Sequence, residues 1–130
     1  MAKVEHYTAC EAQVVHDEGA IGATIRWVID EQRDGAPNYA MRIIEVAPGG
    51  HTPHHAHWFE HENYIIEGEG EVVIGDEVKR IGPGDVAFVP GKVIHQYRNT
   101  GEKPLKFICG IPLGWIKDAR EKLGVAAMQD

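Results

Sequence analysis

The sequence lacks long hydrophobic runs, an apolar leader segment and an excess of positive charge. No stretch approaches the roughly 18 consecutive apolar residues of a membrane span, and the N-terminal segment has no apolar core typical of a signal peptide. The 13 Lys and Arg residues are outnumbered by 20 Asp and Glu residues, which gives a net charge of −7. An acidic chain is a poor nonspecific partner for nucleic acid or anionic lipid. These features favour a cytoplasmic protein that binds neither membrane nor nucleic acid.

Cysteine is also scarce, because the chain has only Cys10 and Cys109, far apart in sequence. Two such residues form neither a disulfide framework nor, alone, a zinc site. A reducing compartment suits this usage. At 130 residues the chain has the length of a single domain.

Glycine is abundant, and turn signals rich in Gly, Pro, Asn and Asp separate many short apolar runs. These runs are rich in β-branched and aromatic residues and are predicted strands: 24–29, 39–46, 61–67, 71–74, 86–89, 93–98 and 105–111. Many short strands joined by such turns predict an all-β sandwich or barrel.

The two ends of the chain differ from this strand pattern. Apolar residues at helical spacing predict a short C-terminal helix over about 114–128. Residues 1–23 are mixed and polar, and we interpret them as an N-terminal arm or as a first strand that pairs with another subunit.

Histidine is the most informative residue type, since five of the eight histidines lie between positions 51 and 61. His55 and His57 are two residues apart and would share one face of a strand. A turn after them would return His61 beside this pair, and His95 supplies a later imidazole. Imidazole nitrogens suit zinc, copper, iron, nickel and manganese. The H-x-H-x3-H spacing on a hairpin therefore predicts a metal site.

The remaining histidines of this segment, His51 and His54, are interpreted as turn or surface residues. Any one of the other three would also be unremarkable alone, and it is their combined spacing that indicates a metal.

Two segments resemble the two sequence motifs of the cupin superfamily. In the first motif the matching residues are Gly49, His55, His57 and Gly68. In the second motif they are Gly84, Pro90, His95 and Asn99, while Lys92 stands where the motif has glycine. The resemblance covers roughly residues 40 to 111 and implies an antiparallel jelly-roll β-barrel over about 24–111, within a single cupin domain of residues 1–130.

The sequence departs from the motif at the metal-ligating glutamate, whose position is occupied by His61. Glu62 would face away from His61 on a strand, and Glu60 is a weaker candidate in the turn. The chain is thus similar to small single-domain cupins whose metal is held by four histidines. The implied ligands are His55, His57, His61 and His95.

The resemblance implies one divalent transition metal, with manganese or iron favoured over zinc, nickel and copper. It also implies an enzyme that acts on a small organic acid or enol. A dioxygenase-like oxidoreductase is the first expectation and an isomerase or lyase the second; no catalytic side chain is assigned. The alternatives are a noncatalytic metal-dependent sensor or binding module, which comes next, and a plain structural metal site.

Four residues are expected to line the substrate pocket. Arg42 lies inside an apolar strand, where it is paired, outward-facing or aimed into the cavity; in the last case it would bind a carboxylate-bearing ligand. Tyr97 shares a strand face with His95. The resemblance places Phe107 and Cys109 near the metal, although Cys109 also fits a small buried core position.

The strand over 62–66 carries apolar residues on both faces, with Tyr64 and Ile66 on one and Ile65 on the other. A barrel wall that faces water should alternate apolar and polar residues. The outer apolar residues therefore need a cover, which predicts a homodimer. The alternative is a monomer whose N-terminal strands fold back over its own sheet.

Overall fold

The computed structural model describes residues 2–123, which form mainly β-strands. The nine strands are β1 Gln13–Val14, β2 Ile21–Ile29, β3 Tyr39–His51, β4 His61–Glu67, β5 Gly70–Ile74, β6 Glu77–Ile81, β7 Val86–Val89, β8 His95–Asn99 and β9 Leu105–Pro112. The helical segments are a 3-10 turn at Tyr7–Ala9, α1 Glu31–Asp34 and α2 Gly114–Lys122. Within residues 2–123 no helix is long and apolar enough to cross a membrane.

The strands form one curled antiparallel sheet in the order β6-β5-β8-β3-β9-β4-β7. Strand β2 pairs with β3, and β1 pairs with β2 of the same chain. This arrangement confirms the predicted all-β jelly-roll class with a short C-terminal helix.

The core lies on the inner side of the curled sheet. Along β9, Leu105, Phe107, Cys109 and Ile111 are buried, while the residues between them are half-buried. Strand β3 pairs with β9 from Tyr39 opposite Pro112 to Val46 opposite Leu105. Strand alternation therefore places every second side chain of these central strands in the core.

A second, smaller cluster covers the outer side of the sheet near the N-terminus. Cys10 packs there with Val28 and Ile43, and Tyr7 adds to the cluster. The Tyr7 hydroxyl accepts a hydrogen bond from Lys106 Nζ at 2.9 Å. The N-terminal segment thus folds back on its own subunit.

Two elements of the structure, β6 and α1, were not predicted, and the C-terminal helix is described over a shorter range than predicted. Strand β6 was not predicted, because Glu77–Ile81 has one buried residue, Ile81, and four exposed ones on an edge of the sheet. The predicted helix over 114–128 is observed as Gly114–Lys122, and 124–128 lie outside the described residues.

Candidate metal centre

Two short pairings of the backbone bring the histidines together. His55 and His95 form an isolated antiparallel bridge, with backbone N to O distances of 3.2 Å and 2.9 Å. His61 begins β4 with its side chain buried and lies opposite Val89 of β7. The loop after β3, the start of β4 and the start of β8 therefore converge on one point inside the sheet.

Three of the four predicted ligands form a compact group. The ligand nitrogens of His55, His57 and His95 all lie within 4.8 Å of one another. His61 adjoins this group, because its Nε2 lies 3.0 Å from Nε2 of His57 and its ring centroid lies 4.9 Å from that of His95. The structure thus groups three of the predicted ligands and places the fourth, His61, next to them.

Backbone carbonyls fix which nitrogen of two of these rings faces the other imidazoles. His57 donates from Nδ1 to the Phe59 carbonyl at 2.9 Å, and His95 donates from Nδ1 to the Val93 carbonyl at 2.9 Å. A neutral ring with its proton on Nδ1 leaves Nε2 free as a metal ligand. Phe59 also stacks on His57, with ring centroids 3.7 Å apart.

The surroundings keep these rings neutral. Burial lowers the pKa of His57 to about 4 and that of His61 to about 2, and the nearby Arg42 guanidinium and neighbouring imidazoles add to both shifts. Burial also lowers the pKa of His55 and His95. Neutral imidazole is the form that binds a metal.

Arg42 and Cys109 lie directly behind His61. Arg42 Nη2 is 2.9 Å from Cys109 Sγ and 3.4 Å from His61 Nδ1, and Cys109 Sγ is 3.0 Å from that same nitrogen. Burial raises the pKa of the Cys109 thiol, although Arg42 opposes the shift. The guanidinium also lies 5.1 Å from the ring centroid of Trp27.

The charge of Arg42 is not balanced inside the sheet. Its side chain is 9% exposed, and its Nε has no hydrogen-bond partner within residues 2–123. Among the same residues, none of the buried polar side chains is acidic. The interior therefore carries an uncompensated positive charge beside the histidines.

The other two predicted pocket residues pack together in the core. Tyr97 and Phe107 stack with ring centroids 4.3 Å apart. The Tyr97 hydroxyl donates to Oδ1 of Asn63, and burial raises the pKa of this tyrosine. Sequence reasoning missed Asn63, which lies two residues after His61 on the same inward face of β4. The signal was available, because a buried amide inside an apolar strand needs a partner.

The outer side of this region carries aromatic side chains and charged side chains of both signs. Glu62 is exposed on β4, whereas His61 is buried. Trp58, Phe59, Glu60 and Glu62 line a cavity of about 250 Å³ against α2. Although Glu62 is exposed, partial desolvation in this cavity raises its pKa to about 7, and a hydrogen bond with Glu60 adds to the shift.

The remaining histidines of the segment have other surroundings. His51 is half-buried, with its Nδ1 3.2 Å from Nε2 of Gln96, and His54 is exposed. The group of three imidazoles formed by His55, His57 and His95 is a donor set that suits a divalent transition metal.

Known proteins share both the sequence and the fold of this chain. A family model described as a cupin domain matches residues 42–111, more than half of the chain. The solved structure of the polyketide cyclase RemF from Streptomyces resistomycificus is 34% identical with a TM-score of 0.80, covering 86% of this chain and 80% of that chain.

Two curated relatives match over a shorter region. The 1-methylthio-D-xylulose 5-phosphate methylsulfurylase of Rhodospirillum rubrum is 35% identical over 53% of this chain and 44% of that protein. The cupin-domain-containing oxidoreductase srdB of Neurospora crassa is 39% identical over 52% of this chain and 35% of that protein. The chain thus spans less than two thirds of the length of either relative. The family match, the jelly-roll sheet and the likeness to RemF over most of both chains lead to one conclusion: this chain belongs to the cupin family.

Proposed function

We propose that this chain is a cupin enzyme that binds one divalent metal and acts on a small organic acid or enol. The observation that carries the proposal is the compact group of His55, His57 and His95, beside which His61 lies with its Nε2 3.0 Å from that of His57. The proposed ligands are His55, His57, His61 and His95. The metal is proposed to be manganese or iron, with zinc, nickel and copper as alternatives.

The side chains around this site are proposed to bind and orient the substrate. A divalent metal held there would supply a Lewis acid, and manganese or iron would add redox chemistry with O2. Arg42 is the proposed anchor of a substrate carboxylate, because it is a buried cation without an acidic partner among the described residues. Tyr97 and Phe107 are proposed to form the apolar wall that excludes water, with Cys109 beside them.

The reaction type is proposed in two versions. Oxidation with O2 comes first and agrees with the name of the srdB relative, an oxidoreductase. An isomerase or lyase reaction through an enolate comes second, and the likeness to a polyketide cyclase over 86% of this chain favours such a reaction without redox change.

A panel of small enolisable 2-oxo acids distinguishes these versions when it is added to metal-loaded protein. Consumption of O2 supports the oxidoreductase, whereas deuterium incorporation beside the carbonyl without O2 consumption supports the isomerase or lyase. Binding of these acids without either change would contradict an enzymatic role on this substrate class and favour a binding module.

Metal retention tests the ligand set itself. We expect His61→Ala to weaken metal binding sharply, because it removes one of four imidazoles, and we expect His51→Ala to leave the affinity unchanged. Metal content after dialysis and the Kd for zinc are the measurements. Equal retention in the two variants would contradict the role of His61.

Two features of the chain beyond the site are also proposed. A homodimer is proposed because apolar side chains on the outer face of β4 and β7 are exposed. A cytoplasmic location is proposed because Cys10 and Cys109 are both free and buried, which suits a reducing compartment.

A further inference from the structure

A cavity of about 550 Å³ lies between the N-terminal segment, α1 and the strands β2 and β3. Its floor is apolar and consists of Trp27, Ala40 and Leu113. Its rim consists of polar and charged side chains from the N-terminal segment and from α1 with its N-cap. None of the four proposed ligand histidines, all within residues 2–123, lines this cavity. Its volume is that of a small-molecule site, since such sites commonly measure about 300–1,000 Å³.

Hydrogen bonds hold the walls of this cavity in place. Arg33 of α1 donates from Nη1 to Sγ of Cys10 at 3.2 Å, and the Cys10 thiol donates to the Trp27 carbonyl at 3.1 Å. Asp30 caps α1, because its Oδ1 accepts from the backbone N–H of Arg33 at 2.8 Å, and its carboxylate also pairs with the Arg33 guanidinium at 3.6 Å. The N-terminal segment, α1 and β2 are thus joined around a preformed cavity, which loses little conformational freedom when a ligand binds.

Four polar side chains of the rim are available to a ligand. Two are carboxylates and two are amides, and within residues 2–123 none of them has a hydrogen bond or an ion pair. They are Glu11, Gln13, Glu31 and Gln32. Carboxylates accept hydrogen bonds, whereas amides both donate and accept. A ligand that satisfies this set carries several groups that donate as well as accept, which is the property of hydroxyl groups.

The charges around the cavity disfavour an ionic ligand. The carboxylates of Glu11 and Glu31 repel an anion. The face of Trp27 would attract a cation, but the Arg42 guanidinium already lies 5.1 Å from the centroid of that ring. A second positive charge at the same ring would be repelled by the first. A neutral ligand avoids both repulsions.

We propose that this cavity binds a neutral polyhydroxylated ligand such as a monosaccharide. The apolar face of the sugar ring packs on Trp27, and its hydroxyl groups bind the carboxylates and amides of the rim. Arg42 contacts the same indole ring but does not line the cavity, so this site is separate from the proposed carboxylate anchor. The inference goes beyond the proposed function and does not require a metal.

Nitrogen-15 NMR of the full-length protein tests this site with glucose, galactose, mannose and xylose as probes. The chain has three tryptophans, whose indole N–H resonances report on three different places. We expect at least one probe to bind with a Kd of about 1 mM or less. It should shift the resonance of Trp27 and leave those of Trp58 and Trp115 unchanged. The Kd should be the same with and without zinc, because no proposed metal ligand within residues 2–123 lines the cavity.

Substitution of Trp27 tests the aromatic contact. Trp27→Leu should raise the Kd about 3- to 10-fold, the value of one aromatic stacking contact, and Trp27→Phe should raise it less because a ring remains. Trp115→Leu is the matched control, since Trp115 is a tryptophan of α2 that is 51% exposed and lies outside this cavity.

Substitution of the rim tests the polar contacts without disturbing the core. Glu11 and Glu31 are both exposed, and replacing the two together with alanine should raise the Kd about 10-fold or more, because hydrogen bonds to charged acceptors are lost. The control is the same double replacement at Glu69 and Glu77, which are exposed and lie outside the cavity.

Three results would overturn this inference. The first is that no neutral probe binds with a Kd below about 10 mM. The second is that glucosamine or glucuronate binds more tightly than glucose, which would assign the cavity to an ionic ligand. The third is a shift of the Trp58 resonance instead of that of Trp27, which would place binding in the cavity beside α2. A protein that binds a neutral sugar but no zinc would contradict the proposed metal site and support this one.

Discussion

Arg42 is a buried cation whose contacts do not explain its presence by fold stability alone. A buried guanidinium normally has a carboxylate partner, and Arg42 has instead a thiol, an imidazole and the face of Trp27. Desolvation of its charge costs free energy that these weak partners do not return. The proposed binding of a carboxylate by Arg42 would account for this arrangement.

Substitution of Arg42 tests whether this residue serves carboxylate binding or the stability of the fold. We expect Arg42→Met to leave the free energy of unfolding unchanged or raise it by about 1 kcal/mol, because it removes an unbalanced buried charge. Affinity for small 2-oxo carboxylates should fall about 10- to 100-fold, the value of one or two charged hydrogen bonds. Chemical denaturation and calorimetric titration are the measurements.

The exposed Arg98 of β8 is the matched control, because its Nε contacts Gln96 on the same strand and not the histidine cluster. Arg98→Met should change neither quantity by a comparable amount. A large loss of stability in Arg42→Met with unchanged carboxylate affinity would mean that Arg42 is a structural residue only.

At the scale of the elements, the turn after β4 and the turn before β7 each contain a glycine, and the two glycines are needed for different reasons. Gly68 and Gly84 both have left-handed φ, +87° and +91°. A Cβ on Gly68 would lie 2.3 Å from the carbonyl oxygen of Pro104, whereas among the described residues nothing lies within 4 Å of one on Gly84. One turn thus needs both backbone freedom and space, and the other needs backbone freedom alone.

This difference predicts the relative cost of two alanine substitutions. Gly84→Ala should lower the free energy of unfolding by about 1–2 kcal/mol, the cost of a left-handed residue with a side chain. Gly68→Ala should cost a further ~1–3 kcal/mol, because the clash forces the backbone to shift. Urea denaturation measures both, and equal losses would show that the turn at Gly68 relaxes freely.

The loop before β8 carries strain at a position where the cupin motif has glycine. Lys92 has φ of 70°, and its backbone N–H donates to the carbonyl of His57 at 2.6 Å. Lys92→Gly should raise the free energy of unfolding by about 0.5–1 kcal/mol, because relief of strain exceeds the added freedom of the unfolded chain. Lys92→Ala keeps the strain and should give no gain. An equal gain in Lys92→Ala would attribute the effect to loss of the lysine side chain.

The strands that sequence reasoning predicted are runs rich in β-branched and aromatic residues that lie between turn signals. The runs at 61–67 and 86–89 agree with β4 and β7 at both ends. Short elements without a periodic apolar face were missed, namely β6 and the four-residue α1, which begins after the capping side chain of Asp30. The contacts from Arg42 to Cys109 and from Cys109 to His61 could not be predicted from the sequence either. They join three strands, and the register of these strands is defined only in the folded sheet.

At the scale of the whole molecule, β4 and β7 share an exposed apolar area within residues 2–123. Tyr64 of β4 lies opposite Val86 of β7, and Phe88 lies two residues further along β7. Their exposed fractions are 48%, 76% and 50%. The N-terminal segment packs elsewhere, over Ile43, and α2 lies against the cavity that Glu62 lines.

A second copy of the chain is the occupant that would bury this area most simply. The area lies beside β7, the strand at one end of the sheet order, and a two-fold axis there would place it against its own copy. We expect a dimer of twice 14.4 kDa in light scattering at micromolar concentration. Val86→Lys should produce the monomer, because it places a charge at the centre of the contact. Val78→Lys is the control, since Val78 is a similarly exposed valine on β6 at the opposite end of the sheet. A parent protein with a mass near 14.4 kDa would contradict the dimer, and dissociation by Val78→Lys instead of Val86→Lys would place the contact on the other edge.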